Sequence, residues 1–235
     1  KHLKKIKFEN IIDNCAYHLN DVKILLNSII KTKKMTYIFS SSVMTYLHLY
    51  LKKDLNEKDW FKSNSSKKMS AMYKDHEIIY AKNKRKIENY LIKNKKIQYI
   101  ILRIHNVVGE FDFSKKTSVL FNSEYDQLKK YKIKKEDFFQ FTYDKDLVDL
   151  IYKFFLKKIT KSDVFNVCNN PVNVKDFLKK KKGKLKKNLN DYAETHFPFP
   201  VNVIMNNKKI KRKLRFNFTS INKIIYALSK SEEFK

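Results

Sequence analysis

A chain of 235 residues with 43% hydrophobic and 14% aromatic content can bury the core of one globular domain with a small appended lobe, which excludes an intrinsically disordered polypeptide. Its 52 Lys plus Arg against 24 Asp plus Glu leave a net +28, an excess that draws phosphate-rich partners; abundant Lys, Asn, Ile, Tyr and Phe beside 2 Gly and 3 Pro show that AT-rich coding supplies part of it. No run approaches the roughly 18 apolar residues of a membrane-spanning helix, so no membrane partner is expected.

The first residue is Lys1 rather than Met, so the chain reads as part of something longer, with room for a removed targeting peptide. Phe8 to Ala16 reads as a short strand, and Asn20-Asp21 as the cap of a helix over Val22 to Ile30. Met35 to Phe39 is a β-branched and aromatic strand running into a polar turn, Ser40-Ser41-Ser42, the place where open α/β sheets put their ligands. Leu51 to Met69 is charged and irregular and reads as a surface excursion holding Trp60. From Glu77 to Ile92, Ile79, Ile87 and Leu91 recur at helical spacing, and a strand over Ile97 to Leu102 leads to a turn around Gly109. Ser114 to Lys135 reads as an insertion or partly helical lobe, Phe138 to Tyr143 as a strand, Lys145 to Lys157 as a helix and Val164 to Val167 as a strand. Beyond lie a lysine run, Lys179 to Lys187, an extended His196-Phe-Pro-Phe-Pro200, and a basic amphipathic stretch, Lys208 to Leu228.

Strands alternating with helices predict a mainly parallel sheet with right-handed crossovers. Cys15 and Cys168 lie far apart in strand-like apolar runs and read as buried free thiols, which favours an intracellular setting, cytoplasm or organelle. The six histidines show no ligand spacing, and no metal site is expected. Asp144 and Asp146, on a strand-to-helix turn, read as helix caps.

Several motifs carry chemistry. Tyr37-Ile-Phe-Ser-Ser-Ser-Val-Met-Thr-Tyr46 takes a strand into serines. Tyr80-Ala-Lys-Asn-Lys84, with Glu88 following, sets a phenol and an ammonium on one helix face. An ammonium there stabilises phenolate and lowers the phenol's pKa toward working pH, so that it exchanges protons with a substrate hydroxyl. Ile101-Leu-Arg-Ile-His-Asn-Val-Val-Gly109, Phe141-Thr-Tyr-Asp-Lys-Asp146 and Val164-Phe-Asn166-Val follow in order, and Lys208 to Thr219 closes the series.

This order resembles the epimerase/dehydratase branch of the extended short-chain dehydrogenase/reductase family over nearly the whole chain. The resemblance implies an α/β, Rossmann-like, doubly wound parallel sheet with a small C-terminal substrate lobe. It divides the chain into a partial dinucleotide-binding domain over 1–170, with an insertion near 114–135, and a basic lobe over 171–235. It implies that Ser42, Tyr80 and Lys84 are catalytic, that Ala16, Ser40, Tyr80, Lys84, Ile104 and His105 contact NAD or NADP, and that Asn106 contacts a small-molecule substrate, a nucleotide-sugar or similar alcohol. The family's glycine-rich phosphate turn is absent from the chain, and because Phe8 to Ala16 resembles the family's fourth strand, the first three strands are expected upstream of Lys1. Arg215 stands where the family's closing turn usually has glycine, and the stretch from Ser42 to Tyr80 is long. The alternative is a non-catalytic RNA-binding or ribonucleoprotein component, as in the family's chloroplast stem-loop RNA-binding members, in which Lys179 to Lys187 and Lys208 to Arg215 meet phosphates and Tyr192, Phe216 and Phe218 stack on bases. Dimerisation is left open.

Overall fold

The computed structural model describes residues 8–29, 35–49, 54–61, 75–157, 161–182 and 199–231. In chain order its elements are β1 (Asn10–Asp13), α1 (Leu19–Ser28), β2 (Thr36–Ser42), α2 (Asp75–Lys93), β3 (Gln98–Ile104), β4 (Val107–Val108), α3 (Lys116–Asn122), α4 (Tyr125–Lys130), β5 (Phe138–Phe139), β6 (Thr142–Tyr143), α5 (Asp144–Leu156), β7 (Asp163–Val167), β8 (Val172–Asn173), α6 (Val174–Lys181), α7 (Lys208–Leu214) and α8 (Ile221–Lys230), with 3-10 turns at Val43–Leu49 and Glu57–Phe61. They fall into two compact units, one drawn from Lys1–Tyr50, Asn56–Ile104 and Tyr152–Asn166, the other from Leu51–Leu55, His105–Ile151 and Val167–Lys235.

The first unit is built on a sheet in the order β1-β2-β3-β7. β1 and β2 run parallel with Asp13 opposite Phe39, and β2 and β3 run parallel with Ser42 opposite Ile104. A parallel sheet with crossover helices is the α/β, Rossmann-like architecture read from the sequence. Burial on both faces is what such a sheet demands, and β2 shows it: Tyr37 and Phe39 join Val22 and Leu26 of α1 and Ile87 and Leu91 of α2 in one core, while Ile38 between them is equally buried.

Some sequence expectations need correction here. β1 is shorter than Phe8 to Ala16 because the Asp13 carboxylate accepts the N–H groups of Cys15 and Ala16 at 3.0 and 2.8 Å, ending the strand and turning the chain. Cys15 is accordingly exposed rather than buried, whereas Cys168 is buried. α1 begins at Leu19, and Asp21 lies inside its first turn, accepting from the His18 N–H at 2.8 Å. The three serines complete β2 instead of forming a turn. Ile79 is half exposed although it falls into the helical period. Trp60 is buried, with the guanidinium groups of Arg85 and Arg103 over its ring where its sequence surroundings lack apolar neighbours.

The second unit pairs β4 with β6 in parallel and β5 with β8 antiparallel. The expected single strand from Phe138 to Tyr143 is therefore two, in different sheets. Gln140 is the cause: its buried amide donates to the carbonyls of Asn169 and Met205 at 2.9 and 3.0 Å and accepts the Met205 N–H at 2.7 Å, and the ladder breaks there. Around it Phe121, Phe139 and Phe177 meet edge to face, and Ile224, Ile225 and Leu228 of α8 complete the core. The 114–135 region is two short helices, α3 and α4. Asp144 accepts the Lys145 N–H, but Asp146 caps nothing: it is buried and accepts from the backbone and hydroxyl of Thr219 at 2.9 and 2.7 Å and from Asn169 at 3.2 Å. Arg215 ends α7 in the left-handed region at φ 48°, the conformation for which glycine is the usual choice. Residues 51–53 and 62–69, Gly183 to Lys187, Tyr192 and His196 to Pro198 lie outside the described residues, as does Ile30 at the end of the expected first helix.

Gly109 admits no side chain, since a Cβ would lie 2.0 Å from Asp144 Oδ2 and 2.9 Å from its Cβ. Gly109→Ala should therefore cost about 1–3 kcal/mol of stability in urea denaturation, and Asp144→Ala in the same chain, which removes the carboxyl group but keeps the Cβ at 2.9 Å, should recover part of that loss; an unchanged midpoint for the single variant would refute this packing.

Candidate active site

The site starts from α2. Residues 80, 84 and 88 stand four apart, so Tyr80, Lys84 and Glu88 form one stripe on the face that meets the sheet. Lys84 is 4% exposed, and its ammonium donates to the carbonyls of Ala16 and Ser40, each at 2.9 Å. It thus bridges the carboxyl ends of β1 and β2 and brings Ala16 and Ser40 together, while its Nζ lies 4.7 Å from the Phe39 ring centre and 5.6 Å from that of Tyr80. Burial pushes the Lys84 pKa down, and the carboxylates of Asp13 and Glu88 oppose that shift.

Tyr80 is half-buried beside it. Its phenol shares a side-chain hydrogen bond with Ser42, and its ring lies 5.6 Å from that of Tyr17, tilted by 40°. Burial raises the phenol's pKa, the Ser42 bond acts against this, and Tyr17 adds to it. In this structure the Lys84 ammonium is turned to two carbonyls, and burial is the largest influence on the Tyr80 phenol, pushing its pKa up. Ile104, half-buried, pairs with Ser42 in the sheet register. Tyr17 and His18 flank the phenol's helix: His18 stacks edge-on against Tyr17 at 4.7 Å, and its Nδ1 lies 3.1 Å from the Asn83 amide on α2.

Beneath the stripe lies a buried network. Glu88 takes Arg103 Nη2 at 2.8 Å and Nε at 3.1 Å, and it accepts the Ser41 hydroxyl at 2.5 Å; Arg103 and Glu88 are 1% and 0% exposed. Arg103 Nη1 donates to Tyr46 Oη at 2.6 Å and to the Glu57 carbonyl at 3.1 Å, and Tyr46 donates to Asn166 Oδ1 at 2.8 Å. Trp60 sits between the Arg85 and Arg103 guanidinium groups, 4.8 and 5.5 Å from its ring centre. Ser41, Tyr46, Glu88 and Arg103 were visible as motif letters, but nothing in the sequence assigned them to one another.

No protein-family model matches the chain, and no curated protein matches it. Solved structures do. dTDP-glucose 4,6-dehydratase from Bacillus anthracis, in complex with NAD, superposes with a TM-score of 0.56 at 14% identity, covering 96% of this chain and 74% of that one. UDP-N-acetylglucosamine 4-epimerase from Bacillus cereus gives 0.55 at 13% identity over 94% and 76%, and a short-chain dehydrogenase/reductase superfamily protein from Agrobacterium tumefaciens with bound NAD gives 0.58 at 12% over 92% and 72%. The likeness is one of fold.

The remaining residues singled out from the sequence, His105 and Asn106, belong to the second unit. His105 is 1% exposed; its Nε2 faces the Val203 carbonyl at 3.2 Å and its Nδ1 accepts the Asn106 N–H at 3.0 Å, so both ring nitrogens are engaged within that unit. Asn106 is half-buried, and its carbonyl accepts the Thr142 N–H at 2.9 Å.

Two outcomes follow from the buried charges. Glu88→Ala leaves the Arg103 guanidinium buried without its anion and should cost about 3–5 kcal/mol in urea denaturation, whereas Ser41→Ala should cost about 1 kcal/mol; equal, small losses for both would refute the network. Burial pushes the His105 pKa from 6.5 down to about 4. Below pH 6.5 the unfolded chain takes a proton that the folded chain refuses, so this stability is fully present above 6.5 and is lost as pH falls toward about 4, amounting to roughly 3 kcal/mol. His105→Gln should flatten the stability profile in that window, and an unchanged slope would contradict the assignment.

Proposed function

We propose that the chain is an NAD(P)-dependent epimerase/dehydratase-like protein of the extended short-chain dehydrogenase type, acting on a nucleotide-linked sugar or a similar hydroxyl substrate. The observation that carries this reading is the Tyr80 phenol hydrogen-bonded by Ser42, with the Lys84 ammonium one helical turn away at the carboxyl ends of two parallel strands. Open α/β sheets bind ligands at that edge. The fold shared with a dehydratase and a superfamily member solved with NAD adds support.

The residues present fit a nicotinamide dinucleotide. An ammonium has three donors, and Lys84 uses two on Ala16 and Ser40, which leaves one for a ribose hydroxyl. Bound there, the dinucleotide would accept and return hydride. Tyr80 is the general acid/base in this reading. Because burial keeps its proton on at neutral pH, the step it is ready for is donation to a substrate carbonyl oxygen. Ser42 orients that oxygen and donates a hydrogen bond to the phenolate as the charge changes, in keeping with its lowering effect on the phenol's pKa. Lys84 holds the two strand ends in place and sets a positive charge near any phenolate formed.

The test is a thermal-shift titration of the full-length protein with NAD and NADP. A nucleotide at about 100 times its Kd should stabilise the folded state by about 2.7 kcal/mol. Tyr80→Phe should keep that stabilisation and lose turnover by about 100-fold or more. No stabilisation by either nucleotide would overturn the reading and favour the alternative, a non-catalytic RNA-binding component in which Tyr80→Phe leaves function intact.

A further inference from the structure

In the second unit, the segment from Val201 to Ser231 contains eight Lys or Arg and no Asp or Glu. Three acids elsewhere in the unit reach it through neutral donors: Asp137 takes the Asn202 amide, Asp54 the Asn206 amide, and Asp146 the hydroxyl and N–H of Thr219. Along α7 and its C-cap, Lys208, Arg212 and Arg215 are all exposed. They stand at i, i+4 and i+7, which lines three cations along one helix face with axial rises of about 6 Å and then about 4.5 Å. The left-handed backbone at Arg215 (φ 48°) extends the stripe past the helix end, and Lys211 beside it donates to Asn170 at 2.8 Å. Phe218, half-buried and edge-on to Phe216 at 5.1 Å, presents an aromatic face just beyond the stripe.

We propose that this stripe is a binding surface for the phosphodiester backbone of a single-stranded nucleic acid, with Phe218 as a stacking face for a base. Cations spaced along a line suit a chain of phosphates, and an aromatic at its end is the partner such strands use. An anionic membrane suits it less. α7 turns both of its apolar residues inward, Ile210 at 0% and Leu214 at 1% exposure, so this helix has no apolar side chain to enter a bilayer. The surface lies wholly within the second unit and stands whether or not Tyr80 turns over a substrate.

The experiment uses the full-length protein and a fluorescein-labelled oligouridylate, followed by anisotropy between about 50 and 200 mM KCl. The stripe variant combines Lys208→Gln, Arg212→Gln and Arg215→Asn, the last because Asn tolerates the left-handed backbone. A control variant removes the same charge from exposed lysines of α2 in the first unit: Lys82→Gln, Lys86→Gln and Lys93→Gln. All six positions are exposed, so equal melting temperatures verify that both variants fold. The stripe variant should lower the slope of log affinity against log salt by about 2, at about 0.7 per neutralised phosphate on a single strand. The control should leave the slope near that of the unaltered protein. Equal flattening by both variants would reduce the interaction to net charge and overturn the site. Absence of oligouridylate binding, or binding to phosphatidylserine vesicles in its place, would also overturn it.

Discussion

The ion pair between Arg103 on β3 and Glu88 on α2 fixes the helix against the sheet in the first unit. Two charges removed from water cost more than their attraction returns unless hydrogen bonds occupy the remaining positions. Here they do: Glu88 takes two guanidinium nitrogens and Ser41, and Arg103 spends its further donor on Tyr46 and the Glu57 carbonyl. The pair thereby ties α2 to β2, to β3 and, through Tyr46 and Asn166, to β7. Since Glu88 stands one turn from Lys84 and two from Tyr80, fixing its rotation on the helix axis aims the other two at the strand ends.

Lys84 carries that alignment to the sheet edge. Its ammonium joins two carbonyls, that of Ala16 just past β1 and that of Ser40 near the end of β2, so one side chain serves both segments. The same burial that makes this contact tight depresses the lysine's pKa and raises that of its neighbour Tyr80. The structural role of Lys84 and the chemical role proposed for it therefore compete for one side chain. While Lys84 serves the carbonyls, Tyr80 stays protonated, and any acidification of the phenol requires the ammonium's remaining donor or a ligand charge to turn the balance.

The parts legible in the sequence were those with local causes. β2 and β3 announced themselves as continuous apolar runs because both their faces are buried. The Tyr80 and Lys84 pair followed from helical spacing, whereas Arg215 reads from the sequence only as a departure from the family's usual glycine, and its left-handed backbone is known from the structure. Long-range causes were not legible. Trp60 lies among charged residues, and the guanidinium groups of Arg85 and Arg103 that stand over its ring are 25 and more positions away in the chain. Ile79 fits the helical period yet faces outward, because periodicity gives a face and not what covers it. Gln140 breaks an apolar run through bonds to Asn169 and Met205 that no local pattern announces.

Codon bias accounts for the abundance of lysine, but not for how the acids are used. Asp13, Asp21, Asp112 and Asp137 each accept backbone N–H groups at turns and helix starts, and Glu88 and Asp146 are buried in networks. A carboxylate that accepts a backbone N–H fixes a turn or a cap, a local structural task that a lysine cannot perform because it has no acceptor. These six acids are thus held by folding requirements, while Asp126 and Glu110 pair with the exposed Lys129 and Lys145. The positive surface follows as a consequence: α7 gathers lysine and arginine on a helix whose own segment contributes no carboxylate. Its field extends outward over a Debye length of about 8 Å at physiological salt.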